Sequence, residues 1–192
     1  MHEDVPIAPA VSEVTQALAA LADGQLDARD RLWELVYQEL RQMAQSHLSR
    51  EHGQASLVPT ALVHETYLRL LGNLPDLAHR AHFFGAAGHA MRRILVERAR
   101  ARQRDKRGGG VAPVSWSAAL GVAGPDDGEL LDIDDLLRRL EQLDAQMVRV
   151  VELRWFAGLS VEETAAALAT SPRTVNRSWT AARAWLLQQL AA

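Results

Sequence analysis

A glycine- and proline-rich interval between Arg107 and Gly128 divides the chain, and it limits the fold more than any other feature. Gly108, Gly109, Gly110, Pro113, Gly121, Gly124, Pro125 and Gly128 crowd into it, a mixture of backbone freedom and missing N–H donors that neither helix nor strand sustains. On both sides apolar residues recur every three or four positions, the spacing of a helix with one buried face. No stretch alternates with the period of a strand, and no unit repeats at solenoid spacing. The expected fold is therefore all-α, with two small helical domains, 10–106 and 132–190, joined by a flexible linker, 107–131.

Four helices are predicted before the interval. The first runs from Ala10 to Leu21 on Val11, Val14, Leu18 and Leu21, and Asp23-Gly24 ends it. Leu32, Leu35, Val36, Leu40, Met43 and Ala44 stripe the second, from Asp27 to His47. The third starts at Pro59 or Thr60, with Thr60 as its cap, and Gly72-Asn73 stops it after Leu71. A loop from Leu74 to His82 leads to the fourth, His82 to Asp105, apolar at first and arginine-rich later. After the interval, Leu136, Leu137, Leu140 and Leu143 form one stripe, and Met147, Val148, Val151, Leu153 and Trp155 form the next.

The formal net charge is only −3, which argues against a non-specific nucleic-acid coat. That sum hides a strong segregation. Arg80, Arg92, Arg93, Arg98, Arg100, Arg102, Arg104, Lys106 and Arg107 are opposed within their segment only by Glu97 and Asp105. From Asp126 to Asp144 the balance inverts, with eight acids against Arg138 and Arg139. Apolar residues make up 48% of the chain, enough for real cores, and cysteine is absent. That removes disulfides, thiolate metal sites and cysteine nucleophiles, and it suits a reducing cytoplasm. The segment Met1–Ala10 does not read as a signal peptide, and no apolar run approaches the roughly 18 residues of a membrane span, so no membrane insertion is expected.

The C-terminal part carries the sharpest motif. Ser160 and Glu163 have the spacing of a capping box, Ala165 is small where two helices would cross, and Leu168 and Val175 supply apolar contact between them. Ser171 then caps a second helix that Pro172 opens. This is a helix-turn-helix. Its second helix would present Ser171, Arg173, Thr174, Asn176, Arg177 and Arg183, with Val175 and Trp179 turned inward and no acid between Ser171 and Ala192. Arginine pairs bidentately with guanine and asparagine with adenine in a major groove that admits a helix. Ala169 stands where the turn usually has glycine, and a positive φ there would cost roughly 1 kcal/mol.

Combined with the first domain, the motif supports a more specific assignment. Residues 58–71, containing Pro-Thr-Ala-Leu-Val-His-Glu, resemble the polymerase-clamp-binding helix of sigma factors. Residues 82–100 resemble the following helix, which engages the minus-ten promoter element. Residues 151–164 with the hairpin are similar to region four, which reads the minus-thirty-five element. The order and the linker fit over nearly all of 10–190, and the chain is identified as an extracytoplasmic-function (ECF) sigma factor of the sigma-70 family, closest to a subgroup with a Pro-Thr-Ala-Leu-Val-His-Glu clamp helix.

That resemblance implies partners and sites. RNA polymerase core, through its β′ clamp and β flap, and promoter DNA would be the partners, with an anti-sigma factor or other regulator left open and no cofactor. His64, Glu65 and Arg69 would face the clamp, although Ala61 stands where many relatives have an acid. Arg80, His82 and Phe83 would hold or stack on unpaired bases, and Arg92, Arg93, Arg98 and Arg100, with Arg102 and Arg104, would neutralise phosphates. A core role for Phe83 and Phe84 stays open. Asp126, Asp127 and Glu129 would either mimic nucleic acid in the polymerase cleft or simply solvate the tether.

Signals of catalysis are weak. His64-Glu-Thr-Tyr-Leu68 lacks the second histidine of a zinc-protease motif, and Gly85-Ala-Ala-Gly88 lacks the context of a phosphate loop. His79, His82 and His89 cluster in sequence, yet loop and surface positions explain them better than a metal. No enzyme is expected. The alternative function is a helix-turn-helix regulator acting without core polymerase, whose sensing domain would not need the arginine run.

Overall fold

The computed structural model describes residues 10–48, 58–105 and 127–190. Among them are α1 (Ala10–Ala22), α2 (Ala28–Leu48), α3 (Pro59–Leu70), a 3-10 turn (Leu71–Asp76), α4 (Arg80–Asp105), α5 (Asp127–Leu143), α6 (Ala145–Val151), a π-turn (Glu152–Phe156), α7 (Val161–Ala167) and α8 (Pro172–Leu190). No strand occurs among the described residues, as expected for an all-α chain.

Several helix ends differ from expectation for local reasons. Gly24 at φ +85° turns the chain out of α1 as anticipated. At α3 the cap is Val58, not Thr60, and no side chain caps it, because Pro59 at the first position needs no hydrogen bond there. Gly72 does not stop the chain. It tightens into 3-10 geometry to Asp76, where Leu74 buries completely and anchors the turn to the core. Helix α4 starts at Arg80, two residues early. The linker expected over 107–131 falls outside the described residues up to 126, and its last part is a correction: Asp127 already begins α5. Leu130, Ile133 and Leu137 supply the buried stripe of α5.

The two helical groups share one core. Val14, Leu32, Leu62, Phe83, Met91 and Ile94 from the first half form a continuous cluster with Ile133, Leu137, Phe156, Leu159 and Leu186 from the second. Helix α4 makes this contact, packing on α5, the π-turn and α7. The approach is close: a Cβ built on Gly88 would lie 2.9 Å from the backbone N, Cα and Cβ of Ala157, and one on Gly85 would lie 2.6 Å from Leu153 Cδ2. Gly85 and Gly88 therefore admit the second half rather than a phosphate.

His47 closes the same contact from α2. Its Nε2–H donates to the Phe156 carbonyl at 2.8 Å, with the Phe156 ring alongside. Burial pushes its pKa down, only partly countered by that hydrogen bond. A depressed histidine favours the packed state fully above its unfolded value of about 6.5, and that contribution is lost as pH falls below it. Thermal unfolding followed from pH 7.5 to 5 should show a falling midpoint. His47→Gln should flatten the profile; an unchanged profile would exclude His47 as its source.

Candidate nucleic-acid interface

The C-terminal hairpin forms through the local signals named above. Ser160 Oγ accepts from Glu163 N–H at 3.1 Å while Glu163 Oε2 accepts from Ser160 N–H at 2.9 Å. Val150, Ala165 and Val175 bury together beneath it, flanked by Val161, Leu168 and Trp179. Ser171 Oγ accepts from Thr174 N–H at 3.1 Å and lies 2.9 Å from the Thr174 hydroxyl, so both residues are engaged in the cap of α8.

The sequence between α7 and α8 carries one strained residue. Ala169 sits at φ +48°. Ala169→Gly should relieve about 1 kcal/mol of that strain and raise the melting midpoint by roughly 2–4 °C. A lower midpoint would show that the turn does not hold this conformation.

Beyond the cap, α8 presents Arg173, Asn176 and Arg177 to solvent, with Thr174 half-buried beside them. Arg183, also exposed, lies with its guanidinium 5.9 Å from the Trp179 ring, while Arg154 approaches the same ring at 5.7 Å. One helix face thus offers two arginines and an asparagine at groove-reading spacing, with no acid in α8.

The arginines of α4 are placed differently. Arg80 bridges Glu39 of α2 and Glu163 of α7, and its guanidinium lies 4.6 Å over the Phe84 ring. His82 Nε2 approaches the Ala167 carbonyl at 3.3 Å, and the His79 ring stacks 3.8 Å from that of His82. Arg92 is buried between Asp134, at 2.8 Å, and Glu152, and it lies 5.5 Å over Phe156. Arg100 and Arg138 reach the second oxygen of Asp134 at 2.9 and 3.0 Å. Burial works against the charge of Glu152, but the hydrogen bond from His89 and the charge of Arg92 outweigh it and hold its carboxyl below the usual range.

Phe83, one of the residues the resemblance puts against unpaired bases, is 0% exposed and packs edge-on against Phe84. In this arrangement its ring has no free face, and of the two readings left open by the sequence it takes the core one. Arg93 is exposed, Arg98 is joined at 2.8 Å to Glu65 of α3, and Arg104 is exposed.

Helix α3 keeps an open face. His64 Nδ1–H donates to the Thr60 carbonyl at 2.8 Å, and the ring lies 5.3 Å from Trp33. Glu65 accepts from Arg69 at 3.1 Å, and Arg69 reaches Glu97 of α4 at 2.7 Å. Leu68 is 66% exposed beside them. Sequence reasoning passed over it, yet its spacing from Ala61 and His64 puts all three on one surface. It also missed the acids Asp134, Glu152 and Glu163 as partners for arginine, since nothing in a linear sequence aligns residues so far apart.

Among the described residues no three potential ligands converge on a cation site, and no helix is long and apolar enough to cross a membrane. A family model for the ECF sigma factor matches residues 11–192. No curated protein matches the chain.

Proposed function

The chain belongs to the ECF sigma factor family, and on that premise we propose that its two halves read two separate promoter elements while it rides on RNA polymerase core. Members of the family are DNA-binding initiation factors rather than enzymes, so core polymerase and promoter DNA are its partners. In this reading residues 10–106 engage the β′ clamp through the α3 face of His64, Glu65, Leu68 and Arg69. Residues of α4 and the segment before it, including Arg80, His82, Arg92, Arg93, Arg98 and Arg100, serve the minus-ten region. Residues 127–190 meet the β flap and place α8 on the minus-thirty-five element, through Arg173, Thr174, Asn176, Arg177 and Arg183, with Ser171 fixing the helix start. The Pro-Thr-Ala-Leu-Val-His-Glu subgroup, cytoplasmic action and control by an anti-sigma factor belong to the same proposal.

One observation carries it: an acid-free helix projects Arg173, Asn176 and Arg177 from a capped hairpin whose own core is small and complete. Each of those side chains can contact base edges or phosphates without disturbing the fold. The test is reconstitution. Purified chain added to core polymerase should select a defined set of genomic promoter fragments and direct initiation from them. Tight operator binding by the chain alone, with core adding nothing, would replace this reading with that of a regulator.

A further inference from the structure

Trp33 of α2 stands at the centre of an aromatic cluster that joins α2 to α3. Its ring lies 4.5 Å from that of Tyr67, 5.2 Å from Tyr37 and 5.3 Å from His64. Tilted pairs at these distances are favourable for aromatic rings. Tyr67 is buried, and its hydroxyl donates at 3.2 Å to the carbonyl of Arg29, one turn before Trp33 on α2. Burial raises the pKa of that hydroxyl, so it remains a donor at neutral pH. Trp33 therefore packs on a tyrosine that is itself tied to the backbone of α2.

His64 is exposed, yet its ring is restrained twice. Nδ1 is bonded to the Thr60 carbonyl at 2.8 Å, and the ring leans on Trp33 with 34° between the planes. The hydrogen bond fixes one ring atom, and the indole limits rotation about it. Nε2 has no partner among the described residues. Ala61, His64 and Leu68 share one strip of α3, and Ala61 and Leu68 are apolar and exposed. His64 is thus the hydrogen-bonding side chain of that strip, and the direction of its ring sets what the strip can recognise.

We propose that Trp33 is a positioning residue for polymerase docking: from α2 it holds the His64 imidazole in one orientation, so that Nε2 meets a polar group of the clamp without first being ordered. The proposal rests on the reading of the α3 face given above, and it adds a residue from a second helix. Ordering a free side chain on association weakens an interface by roughly 2- to 12-fold. A ring already held in place avoids that loss. Trp33 is only half-buried, so its indole serves the surface as well as the core beneath.

The test is a double-mutant cycle read by affinity for core polymerase. Trp33→Leu keeps an apolar side chain over Tyr67 but removes the flat ring beside His64. It should weaken binding by roughly 2- to 12-fold, and Trp33→Phe, which keeps a ring, should recover most of the loss. In a His64→Ala background, Trp33→Leu should change affinity by less than about 2-fold, because no ring remains to be aimed. Circular dichroism at the binding temperature establishes that every variant is folded. A second readout needs no polymerase. With the seven histidines carbon-13 labelled, Trp33→Leu should shift the ring resonance that His64→Ala deletes more than any other histidine resonance.

Equal losses from Trp33→Leu in both backgrounds would show that Trp33 acts through the fold alone and would overturn the proposal. An unmoved His64 resonance would overturn it as well. Failure of the unmodified chain to bind core would remove the sigma-factor reading and the docking role together, whereas core binding indifferent to Trp33→Leu removes the docking role alone.

Discussion

Phe83→Ala is expected to lower the melting midpoint of the chain by roughly 6–20 °C, the equivalent of about 3–5 kcal/mol for deleting a fully buried ring. The reasoning starts from position. Phe83 is the fourth residue of α4, it is 0% exposed, and its ring meets Phe84 at 5.3 Å with an interplanar angle of 86°. Truncation would remove that aromatic contact and leave a cavity between helices that cannot collapse independently. A residue whose task is to stack on an unpaired base would behave otherwise, because an exposed ring contributes little to stability. Thermal unfolding by circular dichroism separates the two. A shift of less than 2 °C, at roughly 0.5 kcal/mol or below, would show that Phe83 leaves the core and would return it to the DNA-contacting set.

The second large effect concerns specificity rather than stability. Arg173→Ala combined with Arg177→Ala should cost reconstituted holoenzyme roughly 2–6 kcal/mol of promoter discrimination, at about 1–3 per bidentate contact. That corresponds to on the order of 30-fold to 10⁴-fold in relative use of cognate and mutated promoters. Both side chains are exposed on α8, so the melting midpoint should hardly move, and a folding defect cannot imitate the result. Competition between promoters differing at single positions reads the outcome. If binding weakens equally for all sequences, the two arginines grip phosphate only. If promoter choice is unchanged, α8 does not read DNA at all.

The two experiments bear on opposite ends of one arrangement. Helix α8 presents Arg173, Asn176 and Arg177 to solvent, Arg80 and Arg92 of α4 are folded inward against acids, and the α3 face of Ala61, His64 and Leu68 stays accessible.

Much of the fold was legible because it depends on neighbours in sequence. The stripes Leu32-Leu35-Val36-Leu40 and Leu136-Leu137-Leu140 needed only helical period to be recognised. Ser160 with Glu163, Ser171 with Pro172, and the strain at Ala169 are all properties of a few adjacent residues, and the structure shows each of them. The recognition face of α8 was readable for the same reason: once the helix start is known, the exposed side of Arg173, Asn176 and Arg177 follows.

What escaped the sequence involved partners distant along the chain. The arginine run announced a basic helix, but not that Arg92 would lie buried against Asp134 and Glu152, or that Arg80 would join Glu39 to Glu163. Gly85 and Gly88 had a place in the fourth helix but no assigned role until Leu153 and Ala157 were seen against them. Phe83 had two meanings until the shared core chose one. Local hydrogen bonding and hydrophobic period act within a few residues, so the linear chain determined its helices, its caps and the exposed, acid-free face of α8. Burial and charge pairing act across space, so only the packing of one half on the other decided which arginines face solvent.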